Sequence, residues 1–337
     1  MARRADKIFQ SDPPQTRSLH ATFRGQDCPG LAPPFIVLHI GESLLDHLAC
    51  VTPEEFESDP HAAADSCRWR FLAQGDSWFA PHPAGHDNHA NLLAEMTFPQ
   101  RHLAVNCAGK GAALSRLVDL ASDPDFARLL TAPDAPSWDG ILLSVGGSDL
   151  ILAMQTPAHD AQGAEIGLPQ RLLRRQTEWG PPSAGVARYF SEAGWQTFSH
   201  YLSVNLRHLL TLREQGASVG KPVFLHCYAA PMPRPAGDWL YPVLKAYAIP
   251  AADWLAVSRL LLSRLGQLFK QLAADPLQYP GLHVFDSAHV PLAQAVPGAS
   301  GSSGDWQNEV HLNHSGCMKL AGAWAEQIQG VLAGKRK

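Results

Sequence analysis

Ser77 and His311 are the two side chains of this sequence best suited to act as a nucleophile and its base. Ser77 stands in the segment Gly-Asp-Ser-Trp-Phe (residues 75–79), and His311 ends the segment Trp-Gln-Asn-Glu-Val-His (residues 306–311). A serine hydroxyl is a weak nucleophile until a base within hydrogen-bond reach takes its proton, and histidine is the most frequent base. If the fold brings the two together, their chemistry would be attack on an acyl carbon.

The elements that must position this pair can be predicted from the hydrophobic pattern. Continuous apolar runs predict five strands, at residues 69–73, 102–106, 140–145, 222–227 and 282–286. Helical spacing predicts helices near residues 90–97, 112–130, 187–215, 251–274 and 315–332, with a break near Pro124. Buried strands that alternate with helices are typical of a parallel sheet covered on both faces. We therefore expect a three-layer α/β/α fold around a five-stranded parallel sheet.

Ligands of such sheets bind beyond the carboxyl ends of the strands, where three distinctive segments are expected. Ser77 follows the first predicted strand, Gly109 the second, and Ser148, in Gly-Gly-Ser-Asp (146–149), the third. At a strand-to-helix turn the N–H of Ser77 can face a developing oxyanion, and the N–H of Gly109 would be a second donor. His311 precedes the last predicted helix. These segments are expected to form one site.

In this order along the chain, the four segments resemble the SGNH (GDSL-type) serine hydrolase and esterase family. The resemblance extends as an architecture over about residues 69–330, and its most specific parts are segments 75–79 and 306–311. It implies the SGNH fold with its flavodoxin-like strand order, an acyl-enzyme on Ser77, His311 as base and then acid, and an oxyanion hole. The hole would comprise the N–H groups of Ser77 and Gly109 and a side chain at position 148.

The sequence departs from the family pattern at two positions. Ser148 stands where the family has an asparagine, so the third oxyanion donor is a shorter hydroxyl that rotates freely. Asn308 stands where the family has the aspartate that orients the catalytic histidine. An asparagine oxygen can still accept the Nδ1 proton, although it carries no charge. Glu309 and Asp305 are alternative acids, and a site without any acid is also open.

The resulting hypothesis is serine-dependent hydrolysis of a small-molecule or lipid-like ester (esterase, lipase or deacetylase type). Two alternatives stay open: a catalytically weak or silent SGNH-like binding protein, and an acyltransferase that uses the same site. The distance from Ser77 Oγ to His311 Nε2 would separate an active site from a silent one. No metal or organic cofactor is implied.

Other motifs have simpler interpretations. Gly-Ala-Ser-Val-Gly (216–220) lies after a helix and before a strand, which is the reverse of a nucleophile elbow, so we expect a connecting turn. The run of His82, His86, Asp87 and His89 is irregularly spaced and more typical of a polar rim than of a metal site.

Composition sets the remaining expectations. The chain has 337 residues, 45% hydrophobic and 17% charged, with a net charge of -4, which gives no reason to expect nucleic acid as partner. No apolar stretch resembles a signal peptide or a transmembrane segment, so a cytoplasmic protein with reduced cysteines is expected. Residues 1–66 are expected to be an extension that packs on or wraps the main domain (67–334), which carries insertions near the site at about 155–185 and 228–250. No oligomeric state follows from the sequence.

Overall fold

A parallel sheet of six strands lies at the centre of the part of the chain that the structure describes. The computed structural model describes residues 45–59, 66–80, 90–108, 116–235 and 237–334. All of these belong to the compact unit Ser43–Lys337, and the unit Met1–Glu42 lies outside the described residues.

The strands are β1 (Asp46–His47), β2 (Ala49–Val51), β3 (Arg70–Gly75), β4 (Thr97–Phe98), β5 (Leu103–Asn106), β6 (Gly140–Ser144), β7 (Val223–His226) and β8 (Leu282–Phe285). The main sheet has the order β2-β5-β3-β6-β7-β8, and every neighbouring pair in it is parallel. Strands β1 and β4 form a separate antiparallel pair.

The helices are α1 (Pro53–Ser58), α2 (Leu117–Ala121), α3 (Pro124–Thr131), α4 (Gly147–Met154), α5 (Glu192–Arg213), α6 (Leu240–Ala246), α7 (Trp254–Ala273) and α8 (His314–Gly334). Every residue of β5, β6 and β7 is buried. Because successive side chains of a strand point to opposite faces, both faces of the sheet must be covered. No described helix has the length and hydropathy needed to cross a membrane.

The five predicted strands all form, at β3, β5, β6, β7 and β8, and they follow the predicted order 2-1-3-4-5. The expectation of a five-stranded sheet is nevertheless wrong by one strand. Strand β2 pairs with β5 at the edge, with Ala49 opposite Leu103. Three residues are too short a run for hydrophobic periodicity to detect. Residues 46–58, within the predicted extension, thus contribute two strands and a helix, α1.

The helix predicted over residues 90–97 does not form. Residues 92–95 make a turn, and β4 begins at Thr97. The side chain of Asn91 accounts for the difference: its Oδ1 accepts the N–H of Leu93 (2.8 Å), and its Nδ2 donates to the carbonyl of Phe79 (2.6 Å). Such local hydrogen bonds compete with a helix. They also attach this segment to the chain just after Ser77.

The two predicted insertions adopt different structures. Residues 155–185 contain the short 3₁₀ helices Leu168–Gln170 and Gln176–Glu178 and the start of a third, Pro182–Tyr189. The fully buried Arg171 pairs with Glu178 at 2.9 Å within this segment. The second insertion, 228–250, contains α6, which borders the candidate site.

Candidate active site

The structure brings Ser77 and His311 into direct contact beyond the carboxyl end of β3. Ser77 Oγ lies 2.6 Å from Nε2 of His311, across 234 residues of sequence. Asn308 lies beside the same imidazole, and Ser148 opens into the same pocket as Ser77. Gly109, the predicted second oxyanion donor, lies outside the described residues.

A tight turn after β3 holds Ser77 at its tip. The N–H of Asp76 donates to the carbonyl of Ser144 on β6 (2.8 Å), and Oδ1 of Asp76 accepts the N–H of Trp78 (3.1 Å). This side-chain bond to the backbone two residues ahead mimics a backbone turn. A Cβ on Gly75 would lie 2.8 Å from Cβ of Ser144, so glycine is required where the two strands meet.

Asn308 orients the imidazole of His311. Its Oδ1 accepts the N–H groups of Val310 (3.0 Å) and His311 (2.9 Å), and these two donors fix which amide atom is the oxygen. The same Oδ1 lies 3.1 Å from Nδ1 of His311, and Nδ2 lies 3.0 Å from it. When Oδ1 accepts from Nδ1–H, Nε2 presents its lone pair to Ser77. This is the tautomer that a general base needs.

Glu309, an alternative acid for His311 in the sequence analysis, binds backbone N–H groups near the start of α6 instead. Its buried carboxylate accepts hydrogen bonds from the backbone N–H groups of Arg234 (3.3 Å), Trp239 (3.1 Å), Leu240 (2.9 Å) and Tyr241 (2.7 Å). These donors surround the start of α6, so Glu309 anchors that helix beside the site. A Cβ on Gly237 would lie 2.2 Å from the Glu309 carboxyl carbon, which explains the glycine there.

Asp305 is likewise engaged away from the imidazole. Its carboxylate accepts from the N–H of Ala293 (2.6 Å), the hydroxyl of Ser315 (2.9 Å) and the ammonium of Lys319 (2.7 Å). Burial raises the pKa of Asp305, but Lys319 and the other donors outweigh it, so the pKa lies below its ordinary value. Of the three candidates for the third residue, Asn308 is the one that the hydrogen bonds place on the imidazole.

A buried polar network lies directly beneath Ser77. The Asp76 carboxyl accepts from Tyr228 (2.5 Å) and contacts the hydroxyl of Ser144 (2.8 Å). Oγ of Ser144 is also 2.9 Å from Nε2 of His226, whose Nδ1 lies 2.9 Å from the carbonyl of Cys227. Burial raises the pKa of Asp76 to about 6 and lowers that of His226 to about 4.

The hydrogen atoms of this network can be counted. The carbonyl of Cys227 only accepts, so Nδ1 of His226 carries the hydrogen and Nε2 of a neutral ring accepts. Ser144 donates to Oδ1 of Asp76 (2.8 Å), and its Oγ also lies 3.2 Å from the hydroxyl of Tyr228. With a pKa of about 6, the Asp76 carboxyl is neutral below about pH 6 and ionised above it.

Ser148 stands at the start of α4, close to Asp76. Its Oγ lies 3.5 Å from Oδ2 of Asp76, which is a long contact for a hydrogen bond. Each of the two preceding positions requires glycine for a different reason. Gly146 has a φ of 93°, and a Cβ on Gly147 would lie 2.6 Å from the ring of Tyr228. The turn therefore brings Ser148 to the pocket that Ser77 lines.

A mainly apolar pocket extends from Ser77. It encloses about 610 Å³, including its open mouth. Its walls come from α4, α6 and α7, from the turn after β3, from the loop after β7 and from the segment before α8, with these apolar residues: Trp78, Leu150, Ile151, Met154, Ala229, Pro231, Pro233, Leu240, Leu244, Val257, Leu261, Leu262 and Val310. Although the structure describes all of residues 155–185, none of them lines this pocket, whereas the insertion 228–250 supplies one wall.

The remaining sequence motifs fall outside the site. Ser218, in segment 216–220, is fully buried and its Oγ accepts the N–H of Trp138 (3.0 Å), which agrees with the expected connecting turn. The histidine-rich run at 82–89 lies outside the described residues. Within the described ranges, no three histidine, cysteine or acidic side chains converge as a metal site would require.

Sequence reasoning missed the supporting residues Ser144, His226 and Tyr228. Each lies at or just after the carboxyl end of a buried strand, β6 or β7. A histidine at the end of an otherwise apolar run was the available signal, since fully buried histidines require a partner.

Comparisons with known proteins give distant structural likenesses alone. No protein-family model matches the sequence, and no curated protein matches it either. A structure from Agrobacterium tumefaciens assigned as an arylesterase is 16% identical, with a TM-score of 0.39, covering 78% of this chain and 99% of that one. The salicylyl-acyltransferase SsfX3 of a tetracycline biosynthetic pathway is 14% identical (TM-score 0.36), covering 80% of this chain and 56% of the other.

A third likeness is to the acetylxylan esterase Axe2 from Geobacillus stearothermophilus. It is 12% identical, with a TM-score of 0.33, and the match covers 78% of this chain and 95% of that one. At such identities and scores, these likenesses do not assign an activity to this chain. The functional argument rests on the geometry of the site.

Proposed function

We propose that this protein is a serine ester hydrolase of the SGNH type that works through an acyl-enzyme on Ser77. The observation that carries the proposal is the 2.6 Å contact between Ser77 Oγ and Nε2 of His311. A catalytically silent binding protein has no physical need to hold these two atoms at hydrogen-bond distance. The strand order 2-1-3-4-5 and the position of each segment at a strand end also support the SGNH assignment.

The reaction follows from the hydrogen bonds of the pair. Ser77 Oγ attacks the ester carbonyl carbon while Nε2 of His311 takes its proton, and Asn308 holds the resulting imidazolium in place. His311 then gives this proton to the departing alcohol, which leaves an acyl group on Ser77. A water molecule, deprotonated by His311, hydrolyses the acyl-enzyme and regenerates the serine.

The oxyanion formed on attack requires hydrogen-bond donors. The N–H of Ser77 is one, and the N–H of Gly109 and the hydroxyl of Ser148 are proposed as the others. Each such donor lowers the barrier by about 3 kcal/mol in enzymes of this kind.

The shape and chemistry of the pocket support an apolar acyl group as the part of the ester that it binds. The pocket begins at Ser77, and its walls are formed mainly by aliphatic side chains of α4, α6 and α7. Burial of an acyl chain there would stabilise the complex by about 0.8 kcal/mol per methylene.

The test is turnover of a short p-nitrophenyl ester by the wild type and by Ser77→Ala and His311→Ala. Loss of a nucleophile or its base lowers kcat by at least about 1,000-fold. Ser315→Ala is a matched control, since that hydroxyl bonds to Asp305 rather than to the imidazole. Unchanged turnover in Ser77→Ala would refute the proposal.

A further inference from the structure

Ser258 is a buried serine whose hydroxyl has no hydrogen-bond partner within the described structure. Its side chain is 3% exposed, and Oγ is unpaired. A buried hydroxyl without a partner loses its bonds to water and gains nothing in return, so such a group in a native protein calls for an explanation.

The usual partner of a helical serine is the carbonyl of its own helix four residues earlier. On α5, Ser203 bonds to the carbonyl of Ser199 (2.7 Å), and Thr211 bonds to that of Arg207 (3.0 Å). Ser258 on α7 makes no such bond. Its neighbours on the same helix face, Val257, Leu261 and Leu262, all line the apolar pocket, and so does Ser258. The serine therefore interrupts an apolar wall.

Three other hydroxyl groups of this pocket belong to the proposed catalytic site. Ser77 bonds to His311, Tyr228 donates to Asp76, and Ser148, whose Oγ lies 3.5 Å from the same carboxyl, is proposed as an oxyanion donor. Ser258 is thus the buried hydroxyl of the described lining that has no partner in the structure, and its hydrogen-bonding capacity is left for a ligand. No lysine, arginine or histidine is among the described lining residues, so an anionic group would find no cation there.

We infer that the pocket binds an apolar acyl chain that carries one neutral oxygen acceptor, such as a keto group, and that the hydroxyl of Ser258 donates to this oxygen. The inference rests on the proposed function, because it takes the pocket to hold the acyl part of the ester. It narrows the substrate class from any apolar acyl ester to an oxygenated one. Ser258 is then a specificity residue for the acyl group.

The experiment compares p-nitrophenyl hexanoate with a series in which one keto group is moved along the same chain. The measured quantity is the ratio of kcat/KM between keto isomers within each variant. In the wild type one isomer exceeds the others by about tenfold, since a single position brings the oxygen to Ser258. In Ser258→Ala this preference disappears. Ser263 is an exposed serine five residues further along α7, and the variant Ser263→Ala keeps the preference.

Equal preference in wild type and Ser258→Ala, or no preference in either, would overturn the inference while leaving ester hydrolysis standing. If the wild type hydrolyses no ester, the proposed function fails, and the role of Ser258 is then tested by measuring ligand binding. Calorimetric titration of the keto methyl esters into Ser77→Ala and Ser77→Ala/Ser258→Ala needs no turnover. About tenfold weaker binding of one isomer to the double variant supports the inference, and equal binding refutes it.

Discussion

Oδ1 of Asn308 lies 3.1 Å from Nδ1 of His311 while it also accepts two backbone N–H groups. The asparagine thus provides the orientation that an aspartate would give at this position, but no negative charge. A neutral amide leaves a choice of tautomers, because its Nδ2 lies 3.0 Å from the same ring nitrogen.

Asn308→Asp is therefore expected to increase activity. The carboxylate can only accept, so it fixes the hydrogen on Nδ1 and stabilises the imidazolium formed on attack. We expect kcat to rise by about 10- to 1,000-fold, and the acid limb of the kcat/KM profile to shift to higher pH because the charge favours the protonated ring. Steady-state kinetics across pH would measure both. Lower activity with an intact fold would show that the amide itself is needed.

Asp76→Asn should change how stability depends on pH. Because the pKa of Asp76 is raised from 3.8 to about 6, the folded protein binds this proton more tightly than the unfolded chain does. Its contribution to stability is thus fully present below pH 3.8 and is lost as pH rises to about 6, by about 3 kcal/mol. His226, with a pKa lowered from 6.5 to about 4, has the opposite dependence and masks it in the wild type.

The asparagine variant removes the titration of Asp76 and also the acceptor of Tyr228 or of Trp78, a loss that does not vary with pH. The unfolding free energy of Asp76→Asn relative to wild type should therefore rise between about pH 4 and pH 7. Urea denaturation at several pH values would measure it, with the exposed Asp134→Asn as control. A difference that stays flat with pH would mean that Asp76 is ionised throughout.

Acyl-chain length should govern substrate preference, because the pocket beside Ser77 is mainly apolar. With a series of p-nitrophenyl alkanoates, kcat/KM is expected to rise about fourfold per methylene from acetate until the pocket is filled. Highest activity on acetate would show that the acyl group does not enter this pocket. Replacement of Leu261 on α7 by Trp should shift the optimum to shorter chains.

Glu309→Gln should lower stability and substrate affinity rather than base strength. The buried carboxylate accepts four backbone N–H groups around the start of α6, and an amide nitrogen would face some of these donors without accepting. We expect the unfolding free energy to fall by about 1–3 kcal/mol. KM should rise because α6 forms a pocket wall, while the acid limb of the pH profile stays in place. A displaced acid limb would identify Glu309 as the acid that supports His311.

Local pattern was sufficient to predict the five longer strands of the sheet, since each is a continuous apolar run with a helix after it, while their order was implied by the family resemblance. It was insufficient for β2, which has three residues, and for residues 90–97, where the side chain of Asn91 makes a turn instead of a helix. The pairing of β2 and the turn at Asn91 both depend on contacts with other parts of the chain, which a short window of sequence does not reveal.

In the candidate site, too, some residues could be predicted from local sequence and others could not. Ser77, His311 and Asn308 could be predicted because each stands in a recognisable segment at the end of an element. The network beneath them could not, because Asp76 meets Ser144 across 68 residues and Ser144 meets His226 across 82. Glu309 could not be told from Asn308 as partner of His311 until the direction of each side chain was known.

The central claim is that His311 makes Ser77 a nucleophile, and covalent labelling tests it most directly. A fluorophosphonate should modify the wild-type protein at Ser77, located by mass spectrometry of the peptide that contains residues 75–79. Labelling should be absent in Ser77→Ala and slowed by at least about 1,000-fold in His311→Ala. A wild-type protein that is not labelled, or a label on another serine, would contradict the account.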